Sequence, residues 1–208
     1  MSGTLDHLRK ALRAPLPGHD HFLEISGYRR PDLASVMQQD PPPRASAVLA
    51  LLYHKADVLY TMLMLRPTYD GVHSGQVSFP GGKHEPEDDS LEDTALREFA
   101  EETGAVTSGI EVLGTLTPVY IPPSRALVTP FVGYAERIFS VAPDAQEVEL
   151  LIEAPFELLL SDGILKRREQ FIQVMGRTAE IPYFDVQGHV VWGATAMMIA
   201  ELRALLGR

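Results

Sequence analysis

The sequence predicts an α/β fold, a sandwich in which strands alternate with one central helix and a last helix closes the chain. Three observations predict it. Two apolar, β-compatible runs, Ala47 to Tyr53 and Val58 to Arg66, flank the polar turn His54-Lys55-Ala56-Asp57 and read as a hairpin. A helix with both ends marked follows from about Ser90 to Thr103. Short strand-like runs then lead into an amphipathic helix from Gly193 onward.

At the N-terminus, Leu5, Leu8 and Leu12 keep helical spacing before Pro15, and Pro31 opens a second short helix reaching Gln38. Asp40-Pro41-Pro42-Pro43 breaks the chain and marks the entry to the main unit. Residues 1–40 are therefore expected as a helical extension packed on a domain of residues 41–208. His19-Asp20-His21 offers metal-ligand residue types, but nothing nearby in sequence completes a site, so it reads as a surface loop.

The second strand of the hairpin delivers Arg66 to a glycine-bearing turn from Gly75 to Gly82. Arg66 has two readings, a phosphate contact or a pair with an acid such as Asp70. The helix begins at Ser90, whose spacing to Asp93 is that of a capping box, and Gly104 offers a left-handed stop. Beyond it, Ile110–Tyr120 and Leu127–Ala135 read as strands joined by Ile121-Pro122-Pro123-Ser124-Arg125. Phe171–Val174, Ile181–Phe184 and His189–Trp192 read as short late strands, and Met197 and Met198 of the final helix as core packing.

At 208 residues the chain can bury a full core. No apolar run approaches the ~20 residues that span a bilayer. The N-terminus lacks the apolar middle of a signal peptide, so a cytoplasmic location is expected. The absence of cysteine excludes disulfides, thiolate zinc sites and a cysteine nucleophile. A formal net charge of −10 argues against broad binding to nucleic acid or an anionic membrane. A polyanionic small substrate would need metal and local basic groups to be held.

The helix carries the chemistry. On a wheel of about 100° per residue, Ala95, Leu96, Phe99 and Ala100 make an apolar arc and Glu98, Glu101 and Glu102 fall beside it. Three carboxylates thus share the last turn, where the helix end already carries about half a negative charge. A solvated acidic face is one reading. The other is a hard divalent cation, since Mg²⁺ takes carboxylate and carbonyl oxygens and leaves positions open for phosphate. Arg97, four residues before Glu101, can fix one carboxylate by forked hydrogen bonds but does not neutralise three. Pro80-Gly81-Gly82-Lys83 lacks the spacing of a Walker loop, and Gly71 to Gly75 lacks the central serine of a nucleophile elbow.

Arg97-Glu98-Phe99-Ala100-Glu101-Glu102-Thr103-Gly104-Ala105 resembles the Nudix hydrolase signature R-E-U-x-E-E-x-G-U, with Phe99 and Ala105 as loose matches at the apolar U positions. The full signature places a glycine and a glutamate upstream as G-x5-E-x7. Here Asp89 stands at the glutamate position and Gly82 lies one residue too far back. The preceding Leu65 to Gly82 resembles the segment ending G-x3-F-P-G-G of the coenzyme A pyrophosphatase-like branch, with Gly71 where that branch has arginine.

The resemblance covers roughly Ala47 to the C-terminus and implies an α/β/α sandwich around a mixed sheet. It implies a metal-dependent hydrolase that cuts the pyrophosphate bond of coenzyme A, using Mg²⁺ with Mn²⁺ as the alternative ion. ADP-ribose or NADH as substrate, or a non-catalytic nucleotide-binding module, are the other readings. Glu98 and Glu102 are the implied metal ligands, with Glu101 binding metal or a metal-bound water and a carbonyl of Gly82 contributing. Glu101 and Glu147 are candidates for the base, Glu147 being also readable as an acid at a helix N-terminus. Gly81 lets backbone approach the phosphates. Lys83 offsets phosphate charge or lies exposed after a turn, and Arg125 reaches substrate or faces solvent.

Overall fold

The computed structural model describes residues 2–27, 31–71, 73–172 and 176–208. Its centre is a hairpin of β1 (Arg44–Lys55) and β2 (Val58–Leu65), turned by Ala56 and Asp57, both at positive φ. β1 runs parallel to β7 (Ala126–Ala135), and every other pairing in this sheet is antiparallel, so the sheet is mixed. The order β3 (Val77–Ser78), β2, β1, β7, β5 (Glu111–Thr115) is extended by β4 (Gly81–Lys83) on β1, β6 (Val119–Ile121) on β7 and β8 (Leu150–Pro155) on β2.

The two faces of β1 bury two separate cores, because successive side chains of a strand point to opposite sides. Ala47, Leu49, Leu51 and Tyr53 meet Ala95 and Phe99 of α4 (Leu91–Thr103). Ala50 and Leu52 face a second cluster that includes Met197, Met198 and Leu202 of α6 (Gly193–Leu205). The result is a sheet with helices on both faces, the α/β/α sandwich. α4 starts where Ser90 accepts from the Asp93 N–H, and ends at Gly104 with φ 68. Phe99 is fully buried, which contributes roughly 1.5–3 kcal/mol relative to leaving it exposed.

A second sheet of β9 (Leu165–Ile172), β10 (Arg177–Val186) and β11 (His189–Val191) stands beside α6. Phe171 and Ile172 of the expected strand from Phe171 to Val174 belong to β9, and Gln173 and Val174 lie outside the described residues. A short helix, α5 (Phe156–Leu160), follows β8 and was not anticipated.

Three expectations need correction. Ile110–Tyr120 is two strands, β5 and β6, interrupted so that each can pair separately with β7. The glycine pair is not a turn: Gly81 and Gly82 form β4 against Val48 and Ala47. The segment at His19 is not a surface loop. It leads into α2 (Asp20–Ser26), between α1 (Ser2–Ala11) and α3 (Leu33–Met37), and His19 is buried. Its Nε2 lies 3.2 Å from Oε2 of Glu201 on α6. Glu201, itself buried, accepts from the N–H groups of Gly18 and Thr117 and from the Thr117 hydroxyl. Leu5, Leu8 and Phe22 pack into the same core as α6. Among the described residues, no helix is long and apolar enough to cross a membrane.

Candidate active site

The carboxylates of α4 are graded by depth, because the helix lies on the sheet with β4 beside its last turns. The Glu102 side chain is 1% exposed, that of Glu98 13% and that of Glu101 59%. One Glu102 oxygen accepts the Gly81 N–H at 2.7 Å and the other accepts Arg66 at 3.2 Å. The same Arg66 nitrogen also donates to the Gly81 carbonyl at 3.1 Å. The acid that Arg66 pairs with is therefore Glu102, not Asp70, and the sequence could not show this because the two lie on different elements.

Glu98 faces Gly82. A Cβ placed on Gly82 would lie 2.3 Å from Glu98 Oε2, so glycine is what admits this carboxylate against the strand. Gly81 is required for a different reason: its φ is +151 and a Cβ there would lie 2.3 Å from the Ala47 carbonyl.

Arg97 organises the exposed side of the cluster. Its guanidinium forks onto Asp88 at 2.8 and 2.9 Å and donates to the Lys83 carbonyl at 3.0 Å. The remaining nitrogen reaches Glu98 at 3.1 Å and Glu101 at 2.9 Å. Asp88 also accepts from the Thr94 hydroxyl and from the Glu85 N–H. The fork with Arg97 holds the Asp88 carboxyl well below the usual carboxylate range. Asp89 is exposed. Expected at the signature's glutamate, it is displaced by Asp88, which keeps the G-x5-acid spacing from Gly82 and puts the inserted residue after the acid.

Glu147 comes to the cluster from a loop hung on the end of α4. Ala142 and Asp144 donate their N–H groups to the carbonyls of Thr103 and Glu102, at 2.8 and 3.1 Å, which satisfies two of that helix end's free acceptors. No helix begins at Glu147, so its reading as a helix N-terminal acid does not hold. Burial pushes the Glu102 carboxyl up to about 8, opposed by Arg66 and the Gly81 N–H and reinforced by the charges of Glu98 and Glu147. Burial also raises Glu98, opposed by Arg97, with the charges of Glu101 and Glu147 adding to the rise. Burial, aided by the neighbouring acids, thus favours the protonated form of these carboxyls, and a divalent cation bound there would favour the ionised form instead. Among the described residues no group of three or more His, Asp or Glu side chains is placed to hold a metal ion by itself.

A cleft of about 1060 Å³ opens from Gly81 and Gly82 along the other face of β1. Arg66 and Lys83 line it beside the glycines, while Phe22, Trp192 and Met198 form part of an apolar wall. Arg125 is not among its lining residues, and its guanidinium is held by the Pro41 carbonyl. Arg44 stands there instead, and sequence reasoning missed it because only the register of β1 places it in line with Gly81.

Residues 43–158 match the model of the NUDIX domain. The chain belongs to the Nudix family. It is 35% identical to Nudix hydrolase 22, chloroplastic, of Arabidopsis thaliana over 76% of this chain and 53% of that protein. It is also 35% identical to the peroxisomal coenzyme A diphosphatase NUDT7 of Mus musculus, over 59% of this chain and 52% of that protein. This Nudix chain thus spans about half the length of those two relatives. The crystal structure of a Nudix hydrolase from M. smegmatis, RenU, aligns with a TM-score of 0.54 at 15% identity, over 79% of this chain and 86% of that one, a likeness of fold. Nudix hydrolases generally use divalent metals such as Mg²⁺ and take small nucleotide-derived substrates.

Proposed function

We propose that this Nudix protein is a divalent-metal-dependent diphosphatase that hydrolyses coenzyme A to 3′,5′-ADP and 4′-phosphopantetheine. The observation that carries the reading is the cleft itself. Its mouth at Gly81–Gly82 backs onto Glu98 and Glu102, which do not themselves line it. Arg44, Arg66 and Lys83 line the cleft, and Phe22, Trp192 and Met198 belong to an apolar wall. A diphosphate joining a nucleotide to a long neutral arm has the same three parts. The similarity to a protein named a coenzyme A diphosphatase supports the choice of substrate.

Glu98, Glu102 and a carbonyl of Gly82 are suited to hold Mg²⁺, with Mn²⁺ as the alternative ion. Glu101 is placed to contribute. When bound, such an ion neutralises diphosphate oxygens and lowers the pKa of coordinated water. The chain's own part is orientation. Arg97, locked by Asp88, holds Glu98 and Glu101 in place. Arg66 sets Glu102, and the absence of side chains at Gly81 and Gly82 lets phosphate approach the backbone. Glu101 and Glu147, both exposed, are the candidates to take a proton from attacking water, Glu101 while held by Arg97. Lys83 offsets phosphate charge beside them.

A second reading keeps the chemistry and changes the substrate to ADP-ribose or NADH. Gly71 favours it, because the cleft there lacks the arginine of the coenzyme A branch. Chromatographic product analysis separates the two. Coenzyme A, ADP-ribose and NADH are each incubated with the protein, with Mg²⁺ and with chelator. Metal-dependent 3′,5′-ADP from coenzyme A, formed faster than any other product, is the expected result. Faster cleavage of another substrate would overturn the specificity, and no cleavage of any would make this a nucleotide-binding module. We also expect residues 1–40 to belong functionally with the domain of residues 41–208, since Phe22 lines the cleft. We place the reaction in the cytoplasm.

A further inference from the structure

Alternate residues of β1 point to the same side of the sheet. Arg44, Ser46 and Val48 all line the cleft, with Ser46 opposite Lys83 and Val48 opposite Gly81 in the register of β1 and β4. The cleft floor therefore runs from the glycine beside the buried carboxylate to Arg44. At about 3.3 Å per residue this is on the order of 13 Å of strand. One ribose, together with the reach of an arginine side chain, bridges that distance.

Arg44 is held at the far end. Its N–H donates to the Arg125 carbonyl at 2.8 Å, and its guanidinium donates to the Ser124 carbonyl, from Nε at 3.1 Å and from Nη2. Among the described residues it has no carboxylate partner, whereas Arg66, the cation nearer the acids, is committed to Glu102. A guanidinium fixed by carbonyls keeps its full charge and retains further N–H donors. The cleft of a chain with formal net charge −10 thus presents, away from the α4 carboxylates, a positioned cation that has no carboxylate partner among the described residues.

We infer that Arg44 is a specificity-determining residue that binds a phosphate monoester on the ribose of the nucleotide, at a subsite separate from that of the diphosphate. This deepens the proposed function, on which the orientation of the nucleotide rests. It also supplies the anion recognition that Gly71 does not. A ribose phosphate occurs at the 3′ position in coenzyme A and at the 2′ position in phosphorylated nicotinamide dinucleotides, so the position is part of the test.

The test is equilibrium binding by calorimetry of 3′,5′-ADP, 2′,5′-ADP and 5′-AMP to the full chain, the R44A and R44K variants and R44Q. R44Q removes the charge while keeping a donor for the Ser124 carbonyl, and thermal melts establish that each variant is folded. One bisphosphate is expected to bind about tenfold more tightly than 5′-AMP, the scale of a charge-assisted hydrogen bond at an exposed site. That ratio should collapse towards one in R44A and R44Q and survive in part in R44K. Which bisphosphate is preferred identifies the 3′ or the 2′ subsite. No preference in the unaltered protein would overturn the inference, as would equal losses for bisphosphate and monophosphate in R44A. Because binding is read without turnover, failure to hydrolyse coenzyme A would refute the proposed function alone.

Discussion

The carboxylate of Glu98 rests directly on Gly82, with the position of a Cβ at residue 82 only 2.3 Å from Glu98 Oε2. One methyl group there would turn the carboxylate away from the strand. Gly82→Ala is expected to keep the fold, since the colliding atoms are the end of a side chain, and to lower turnover by about 100-fold through misplacement. Gly81→Ala meets backbone instead, at positive φ, and is expected to destabilise by about 1–3 kcal/mol. Urea melts and initial rates on both variants check the contrast. A Gly82→Ala enzyme of undiminished activity would remove Glu98 from the site.

Asp88 and Asp89 are adjacent acids with different surroundings. Asp88→Ala is expected to release Arg97 and with it Glu98 and Glu101, lowering kcat/KM by about 10–100-fold, as loss of a residue orienting a ligand does. Asp89→Ala is expected to leave kcat/KM within about twofold, since surface changes away from such features are nearly neutral. The reverse order would restore Asp89 to the signature position.

Divalent ions are expected to raise the melting temperature, because acids that repel one another are neutralised together. At an ion concentration 100 times the Kd the gain is about 2.7 kcal/mol. Chelator should abolish it. Glu98→Gln is expected to reduce both this gain and turnover, the latter on the order of 100-fold, with the metal-free melting temperature retained. An unchanged metal response in Glu98→Gln would exclude it as a ligand.

Glu201 gives a pH dependence. Its folded pKa is lowered: burial raises it, but the adjacent His19 imidazole and the hydrogen bonds from Thr117 outweigh this. A carboxylate depressed in the folded state stabilises above its unfolded pKa, and the contribution is lost as pH falls through the folded value. Glu201→Gln is therefore expected to flatten the acid limb of stability against pH while lowering stability at pH 7. Glu201→Ala leaves the Gly18 and Thr117 N–H groups unpaired, at about 1–3 kcal/mol each. Denaturant melts from neutral to acid pH measure both. Parallel curves for Glu201→Gln and the unaltered chain would contradict the assignment.

Short-range chemistry made much of this legible. Ser90, Asp93 and Gly104 act within one or two turns of α4, and the hairpin of β1 and β2 follows from two apolar runs and one polar turn. The signature glutamates were found for the same reason, since helical spacing alone puts Glu98 and Glu102 one turn apart. Asp88 was missed because an insertion can be placed on either side of an acid without changing the local pattern. His19 and Glu201 were missed because a buried polar pair is separated by most of the chain and leaves no periodic signal in either segment.

By itself, then, the sequence determined the helix, its caps, its acids, the hairpin and the family resemblance, all set by interactions between near neighbours or by a contiguous motif. Only the tertiary structure decided that Gly81 and Gly82 are a strand, that Arg66 belongs to Glu102, and that Arg44 rather than Arg125 lines the cleft. Those relationships depend on strand register and on which elements pack together. Burial and hydrogen bonding across the whole fold fix both, and no window of sequence contains them.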